Sequence, residues 1–450
     1  MPVGRASSFS CDASAPLAAG SPQYEARPGQ VRLARAIFDA LAQGHHLLAE
    51  GPCGIGKSKA YGVPAAHLAA HGKRVLIVTA SIALQEQLVN KDLPTLQKEL
   101  AGVGLAFDFA LMKGKSNYLC QEQIKIADSA GLAYQDALDF KAIAQWAKKT
   151  TEGDKSELLI KPSDLVWGRF AISSDACPGK KCPSYKACYA TRARERAAET
   201  GILVTNYHLF FLNMAYGGQI LPASDVVILD EAHEAADIAR ELLGFRISEH
   251  TFRRMANDAD KRGAHHEAVA LREAAHVFFE RLARFHDSPH YKALLRWPAI
   301  GALSPAALED AVDAYAQACA KSHLVDNALA AKRRLREALE LSDPNCVYWI
   351  EAKPGSQPND RRVALQARYV SVAPVLHDAL WGGYSSVVAV SATLTTDARF
   401  EFVRRSSFRQ PPSSRSRTTP TSSRSPRAGS SRRSRPAAAA PSASSPRTGP

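Results

Sequence analysis

Gly51-Pro52-Cys53-Gly54-Ile55-Gly56-Lys57-Ser58 carries the spacing G-x4-G-K-S, after an apolar run from His46 to Glu50 that reads as a strand and before residues able to start a helix. In that setting the glycines let successive backbone N–H groups turn inward around a triphosphate. Lys57 can then reach the β and γ oxygens, and the Ser58 hydroxyl is placed to hold Mg²⁺. All eight residues are candidates for contact with ATP. A glycine-rich turn that merely contains Lys-Ser is the plain alternative, and an acidic motif downstream weighs against it.

Upstream, Arg27-Pro28-Gly29-Gln30 opens the ordered part of the chain, and the spacing of Val31, Leu33, Ile37 and Leu41 predicts an amphipathic helix to Gln43. Gln30 lies about twenty residues before the phosphate loop, where an amide could read the adenine edge; a surface glutamine in a turn would look the same. Downstream, Lys73–Thr79 reads as a buried parallel strand and Ser81–Leu88 resumes helical spacing. Strand, phosphate loop, helix, strand, helix is the order of a nucleotide-binding α/β sheet.

That order is interrupted twice. Lys113 to Arg196 is polar, basic and cysteine-bearing with little strand character, so it reads as an insertion with little hydrophobic core of its own. Buried-type strands return at Gly201–Asn206 and Asp225–Asp230. Glu234 to about Ser342 is almost wholly helical and reads as a second insertion. Val347–Ile350 and Val387–Val390 are expected to bring strands back and close the sheet.

Asp230-Glu231-Ala232-His233 directly follows the apolar strand ending at Leu229. From the carboxyl end of a strand Asp230 can hold the Mg²⁺ shell and Glu231 can polarise an attacking water, while His233 would link this site to neighbouring motifs. An acidic helix start stabilised by the helix dipole is the alternative. Ser391-Ala392-Thr393-Leu394 also follows a strand, and alone could be an ordinary N-cap. Its weight comes from order, since phosphate loop, Thr79–Leu88, Asp-Glu-Ala-His and Ser-Ala-Thr each fall at a strand end, as in a superfamily 2 helicase motor.

With 450 residues the chain can bury two or three cores. It has no run of eighteen apolar residues and no basic start with an apolar segment behind it, so a cytoplasmic protein is expected. Of the formal net charge of +13, eight units are arginines in residues 411–450, which contain no Lys, Asp or Glu, leaving +5 on residues 1–410. A nucleic-acid partner must therefore be argued from motifs.

Eight cysteines in a cytosolic chain are poor candidates for structural disulfides. Cys11, Cys53, Cys319 and Cys346 are scattered, whereas Cys177, Cys182 and Cys188 crowd into twelve residues, with Cys120 upstream. The spacing Cys120-x56-Cys177-x4-Cys182-x5-Cys188 is neither a zinc-finger nor a zinc-ribbon pattern. It suits a [4Fe–4S] cluster that staples the insertion, with zinc and unliganded thiols as alternatives. Around these cysteines lie Lys113, Lys115, Lys180, Lys181, Lys186, Arg192, Arg194 and Arg196, interleaved with Tyr118, Trp167, Tyr185 and Tyr189. Cations that track phosphates and rings that stack on bases make a path for single-stranded DNA; a solvated basic face is the alternative.

Taken together, Arg27–Gln30, Gly51–Ser58, Lys113-Gly114-Lys115-Ser116-Asn117-Tyr118-Leu119-Cys120, the cysteine triplet, Val204-Thr205-Asn206-Tyr207-His208, Asp230–His233 and Ser391–Leu394 resemble the DinG/XPD-like iron–sulfur DNA helicases of superfamily 2, most closely the bacterial DinG branch. The resemblance spans about residues 23–404. It implies a RecA-like P-loop motor domain, ATP-driven 5′ to 3′ translocation on single-stranded or forked DNA with strand separation, and a role in DNA repair. It also implies Mg²⁺, a [4Fe–4S] domain acting as a wedge beside a helical arch, and a monomer. The expected division is a leader at 1–22, motor segments at 23–109, 197–247 and 343–404, the cluster insertion at 110–196, the arch at 248–342, and a disordered tail at 405–450.

The resemblance stops at the tail. Residues 411–450 use only Pro, Ser, Arg, Thr, Ala and Gly, which cannot form a core. After Phe402-Val403-Arg404 the sequence looks like an out-of-frame translation, and the family's second motor domain with its arginine-bearing motifs is expected to be missing. Such a polypeptide is expected to bind ATP·Mg and to hydrolyse it poorly. A non-enzymatic iron–sulfur fragment that binds ATP and single-stranded DNA is the rival reading.

Overall fold

The computed structural model describes residues 27–129, 137–174, 176–286, 292–294, 303–322, 324–354, 361–395 and 399–403. The expected leader at 1–22 and tail at 405–450 lie outside these residues.

Among the described residues ten strands form two sheets. β1 (Leu47–Glu50), β2 (Val75–Thr79), β3 (Phe109–Leu111), β4 (Ile202–Asn206), β5 (Val226–Asp230) and β10 (Ser386–Ser391) make a parallel sheet in the order β1-β10-β5-β2-β4-β3. Every neighbouring pair in it is parallel. The continuous apolar runs of β2, β4, β5 and β10 arise because both faces are covered. Val75, Ile77, Ile202, Val204, Val226 and Ile228 enter one core, packed with helices α1 (Pro28–Gln43) and α2 (Lys57–Ala70). Leu76, Val78, Leu203, Val227, Leu229 and Val387 enter the other, packed with α4 (Tyr207–Ala215) and α5 (Ala235–Leu243). This is a RecA-like α/β layer, with every motif at the carboxyl edge of the strands.

The second sheet corrects one expectation. β8 (Cys346–Pro354) does not close the motor sheet. It is antiparallel to β7 (Lys292–Leu294) and β9 (Arg361–Tyr369), and β9 pairs with β6 (Phe245–Ser248). Tyr348, Ile350 and Leu365 share a core with Phe252, Leu271, Phe279, Tyr315 and Leu335 from the helices Glu249–Lys261, His265–Ala283, Ala306–Ala318 and Val325–Glu340. The helical region is thus helices on a sheet, and the motor resumes only with the helix Ala373–Leu376 and β10.

The cysteine-bearing insertion also differs from expectation, because it has a core. Tyr118, Leu119, Ile143, Val166, Trp167, Phe170 and Tyr189 pack together, and α3 (Tyr189–Glu199) leads back to β4. Gly153 has φ +65° and a Cβ there would strike the Tyr189 ring, so glycine is required on two counts. Among the described residues no helix is long and apolar enough to cross a membrane.

Candidate nucleotide site and cysteine cluster

The phosphate loop leaves β1 and enters α2 through Gly54 (φ 82°) and Gly56 (φ 83°). Gln30 is buried on α1 and its Nε2 donates to the Gly56 carbonyl at 3.0 Å, so close that a Cβ on Gly56 would overlap it. The Ile55 N–H donates to Pro52 O at 3.3 Å, the Arg27 guanidinium holds Gly54 O at 3.0 Å, and Cys53 is exposed at the loop tip. Gln30 therefore lies against the phosphate loop.

At the end of β5, Asp230 is 7% exposed. Tyr61 on α2 donates to its Oδ2 at 3.2 Å, and Tyr207 donates to its backbone oxygen at 2.9 Å. Oδ1 has no partner. Burial and the neighbouring Glu231 charge push the Asp230 carboxyl up to about 6, against the pull of Lys57. A buried carboxylate oxygen without a donor is what a hard cation needs, and the Ser58 hydroxyl contacts the same Tyr61. Asp230 and Ser58 thus fit Mg²⁺.

Glu231 has φ 51°, which is strained for a residue with a Cβ and turns its side chain back over the phosphate loop. Its Oε1 takes Lys57 Nζ at 2.7 Å. Its Oε2 accepts from the Ser391 hydroxyl at 3.1 Å, and that hydroxyl lies 2.8 Å from His233 Nδ1. Burial raises the Glu231 carboxyl, but Lys57 and Ser391 outweigh it and hold it below its ordinary range. Lys57, Glu231, Ser391 and His233 form one chain of polar contacts across the phosphate loop, β5 and β10.

Residues 32–143 match the DEAD/DEAH box helicase family. Over 404 residues the chain is 31% identical to the ATP-dependent DNA helicase YoaA of Escherichia coli strain K12, covering 85% of this chain and 62% of YoaA. It is 34% identical over 229 residues to the ATP-dependent helicase DinG of Mycobacterium tuberculosis strain H37Ra, covering 47% of this chain and 34% of that protein. This chain is thus similar to DinG-like helicases over most of its length, and its residues 32–143 match a DEAD/DEAH box helicase domain. A solved XPD helicase aligns with 85% of this chain and 60% of its own length, at 14% identity and TM-score 0.47.

The chain spans about three fifths of YoaA's length. Its cysteine-bearing insertion brings four distant thiols together. Cys120, Cys177, Cys182 and Cys188 all line one cavity of about 270 Å³, with Lys115 and Tyr185 at its walls. Lys115 Nζ is 3.5 Å from Cys177 Sγ, and burial pushes the Cys120 thiol up. Among the described residues no three His, Cys, Asp or Glu groups are placed to hold a metal ion directly. Four thiols around a space of that size nonetheless suit a group larger than a single ion.

Much of the expected single-strand path is core instead. Tyr118, Trp167 and Tyr189 are each no more than 6% exposed. Lys113 is buried between Glu86 and Asp154 at 3.0 and 2.9 Å, and Arg196 pairs with Glu152. Lys180, Lys181 and Lys186 remain exposed, and Tyr185 is half-buried. The sequence assigned no individual role to Glu50, Tyr61 or Tyr207. Tyr61 stands four residues past Lys57 and Tyr207 directly follows β4, so strand-end position was the available signal for Tyr207.

Proposed function

We propose that this chain is the ATP-binding motor of a DinG-type DNA helicase, which couples ATP hydrolysis to 5′ to 3′ movement along single-stranded DNA and opens duplexes at a fork. The buried Asp230 oxygen without a partner, set beside the Lys57–Glu231 pair, carries this reading. Lys57 would leave Glu231 for the β/γ oxygens as ATP enters, and the freed Glu231 carboxylate, still held by Ser391, would take a proton from the attacking water. Mg²⁺, held by Asp230 and Ser58, would neutralise charge on the phosphate oxygens. Gln30 would read the adenine edge. The names of the relatives, an ATP-dependent DNA helicase for YoaA and an ATP-dependent helicase for DinG, support the same reading.

The four cysteines would hold a [4Fe–4S] cluster, whose role is to tie together the segments of residues 110–196. The breadth of the thiol-lined cavity favours it over one zinc ion, which needs thiolates at about 2.3 Å. Lys180, Lys181 and Lys186 would track DNA phosphates beside it.

Turnover of ATP is measured with and without oligothymidylate. Stimulation that Lys57→Ala abolishes supports the helicase reading. The alternative is a protein that binds ATP and single-stranded DNA without hydrolysis. Saturable binding of both ligands with background turnover would select it.

A further inference from the structure

Glu50 is the last residue of β1 and immediately precedes the phosphate loop. Its side chain crosses to the loop after β10. Oε2 accepts from the N–H groups of Leu394 at 2.7 Å and Thr395 at 2.6 Å, and Oε1 accepts from the Thr395 hydroxyl at 3.0 Å. Next to it the Gly51 N–H donates to the Ser391 carbonyl at 2.9 Å. Two consecutive residues, one closing the strand and one opening the phosphate loop, therefore hold both ends of Ser391–Thr395. Within that loop the Leu394 side chain is buried in the core beneath α4 and α5, and the Ser391 hydroxyl sits on Glu231.

Thr393–Thr395 is irregular backbone, whose N–H groups must find acceptors outside any ladder. Here two of them and a hydroxyl converge on one carboxylate that is 344 residues away in sequence. The same bonds, led by the Thr395 N–H, hold the Glu50 carboxyl below its ordinary range. A displacement of the phosphate loop around a triphosphate would shift Glu50 and Gly51 together. The Ser391–Thr395 loop would follow through four hydrogen bonds, and Ser391 would carry the shift to Glu231.

We propose that Glu50 is a positioning residue that couples occupancy of the phosphate loop to the Ser391–Thr395 loop, and thereby to single-strand binding; this rests on the helicase reading above. The plainer role is a cap that keeps an exposed loop in place. A cap changes stability, whereas a coupler changes how one ligand alters the affinity for the other.

The affinity for a fluorescent, non-hydrolysable ATP analogue with Mg²⁺ is measured with and without oligothymidylate, and the affinity for oligothymidylate with and without the analogue. Their ratio is the coupling factor, equal from either side, and a uniform loss of either affinity leaves it unchanged. The wild-type chain is expected to show coupling of about fivefold or more. Glu50→Ala is expected to bring it to about one. Glu50→Gln, whose carbonyl can still accept from two N–H groups, is expected to restore part of it. Thr395→Val removes one of the bonds, is available should Glu50→Ala not fold, and is expected to give an intermediate factor. Wild-type coupling retained in these variants with only a lower melting temperature overturns the proposal, as does a wild-type chain that binds both ligands without coupling. Failure of the wild-type chain to bind either ligand contradicts the helicase reading itself, a result distinct from lost coupling.

Discussion

Lys57 Nζ lies 2.7 Å from Glu231 Oε1, so the phosphate-loop lysine is held by the carboxylate one residue beyond the strand that presents Asp230. The pair is partly buried, with side chains 13% and 25% exposed. On the proposed reading, ATP displaces this contact as Lys57 moves to a phosphate.

Glu231→Gln therefore has opposite expected effects on binding and chemistry. Loss of the ion pair frees Lys57 and tightens Mg·ATP binding by about fivefold, the size of a partly exposed pair. Any ATP turnover falls by about 10²–10⁴, because an amide cannot accept the water proton. Fluorescent-analogue titration and single-turnover hydrolysis check the two effects separately; weaker binding with unchanged turnover would contradict the assignment.

Asp230 links the site to stability. Its carboxyl titrates near 6 in the folded chain against an ordinary 3.8, so its contribution favours folding fully below about pH 4 and is lost as the pH rises through 6. At neutral pH the buried charge is only partly offset by Lys57. Asp230→Asn is expected to raise the Mg²⁺-free melting temperature at pH 7.5 by a few degrees, corresponding to about 1–2 kcal/mol, and to have little effect at pH 4.5. Melting curves at both pH values decide it; destabilisation at pH 7.5 would show that the charge is compensated.

Most of the motor was legible in the sequence because fully buried parallel strands are unbroken apolar runs and each ends in a motif. The same logic misplaced Val347–Ile350. Tyr348 and Ile350 are as buried as the motor strands, and only the pairing itself, antiparallel to the following strand through partners such as Leu365, tells a strand of another sheet apart. β3 and β6 are too short to show a period. In the insertion, Tyr118, Trp167 and Tyr189 among lysines and arginines looked like a stacking surface. Side-chain direction, which composition does not contain, turns them into a core. Glu50 was invisible because its partners lie at the other end of the chain.

Lys113 illustrates that difference. With 3% of its side chain exposed, it neutralises Glu86 and Asp154 where the motor meets the insertion. Lys113→Ala leaves two carboxylates without their shared cation, and a loss of about 3 kcal/mol is expected. Denaturant unfolding measures the loss. If Lys113 were instead a phosphate contact, the substitution would weaken DNA binding and leave stability unchanged.

The cysteines are tested on the protein itself. An anaerobic preparation is expected to be brown, with iron and acid-labile sulfide, and Cys182→Ser is expected to lose most of both. A colourless protein containing zinc would replace the cluster with a single ion.

The most direct measurement is Mg²⁺-dependent binding of a fluorescent ATP analogue to the wild-type chain, Lys57→Ala and Asp230→Asn. Saturable binding that needs Mg²⁺ and weakens by about tenfold or more in both variants is expected, since each removes a charged contact to phosphate or metal. Binding indifferent to Mg²⁺ and to both substitutions would contradict the assembly of the phosphate loop and the Asp-Glu-Ala-His strand end into one nucleotide site.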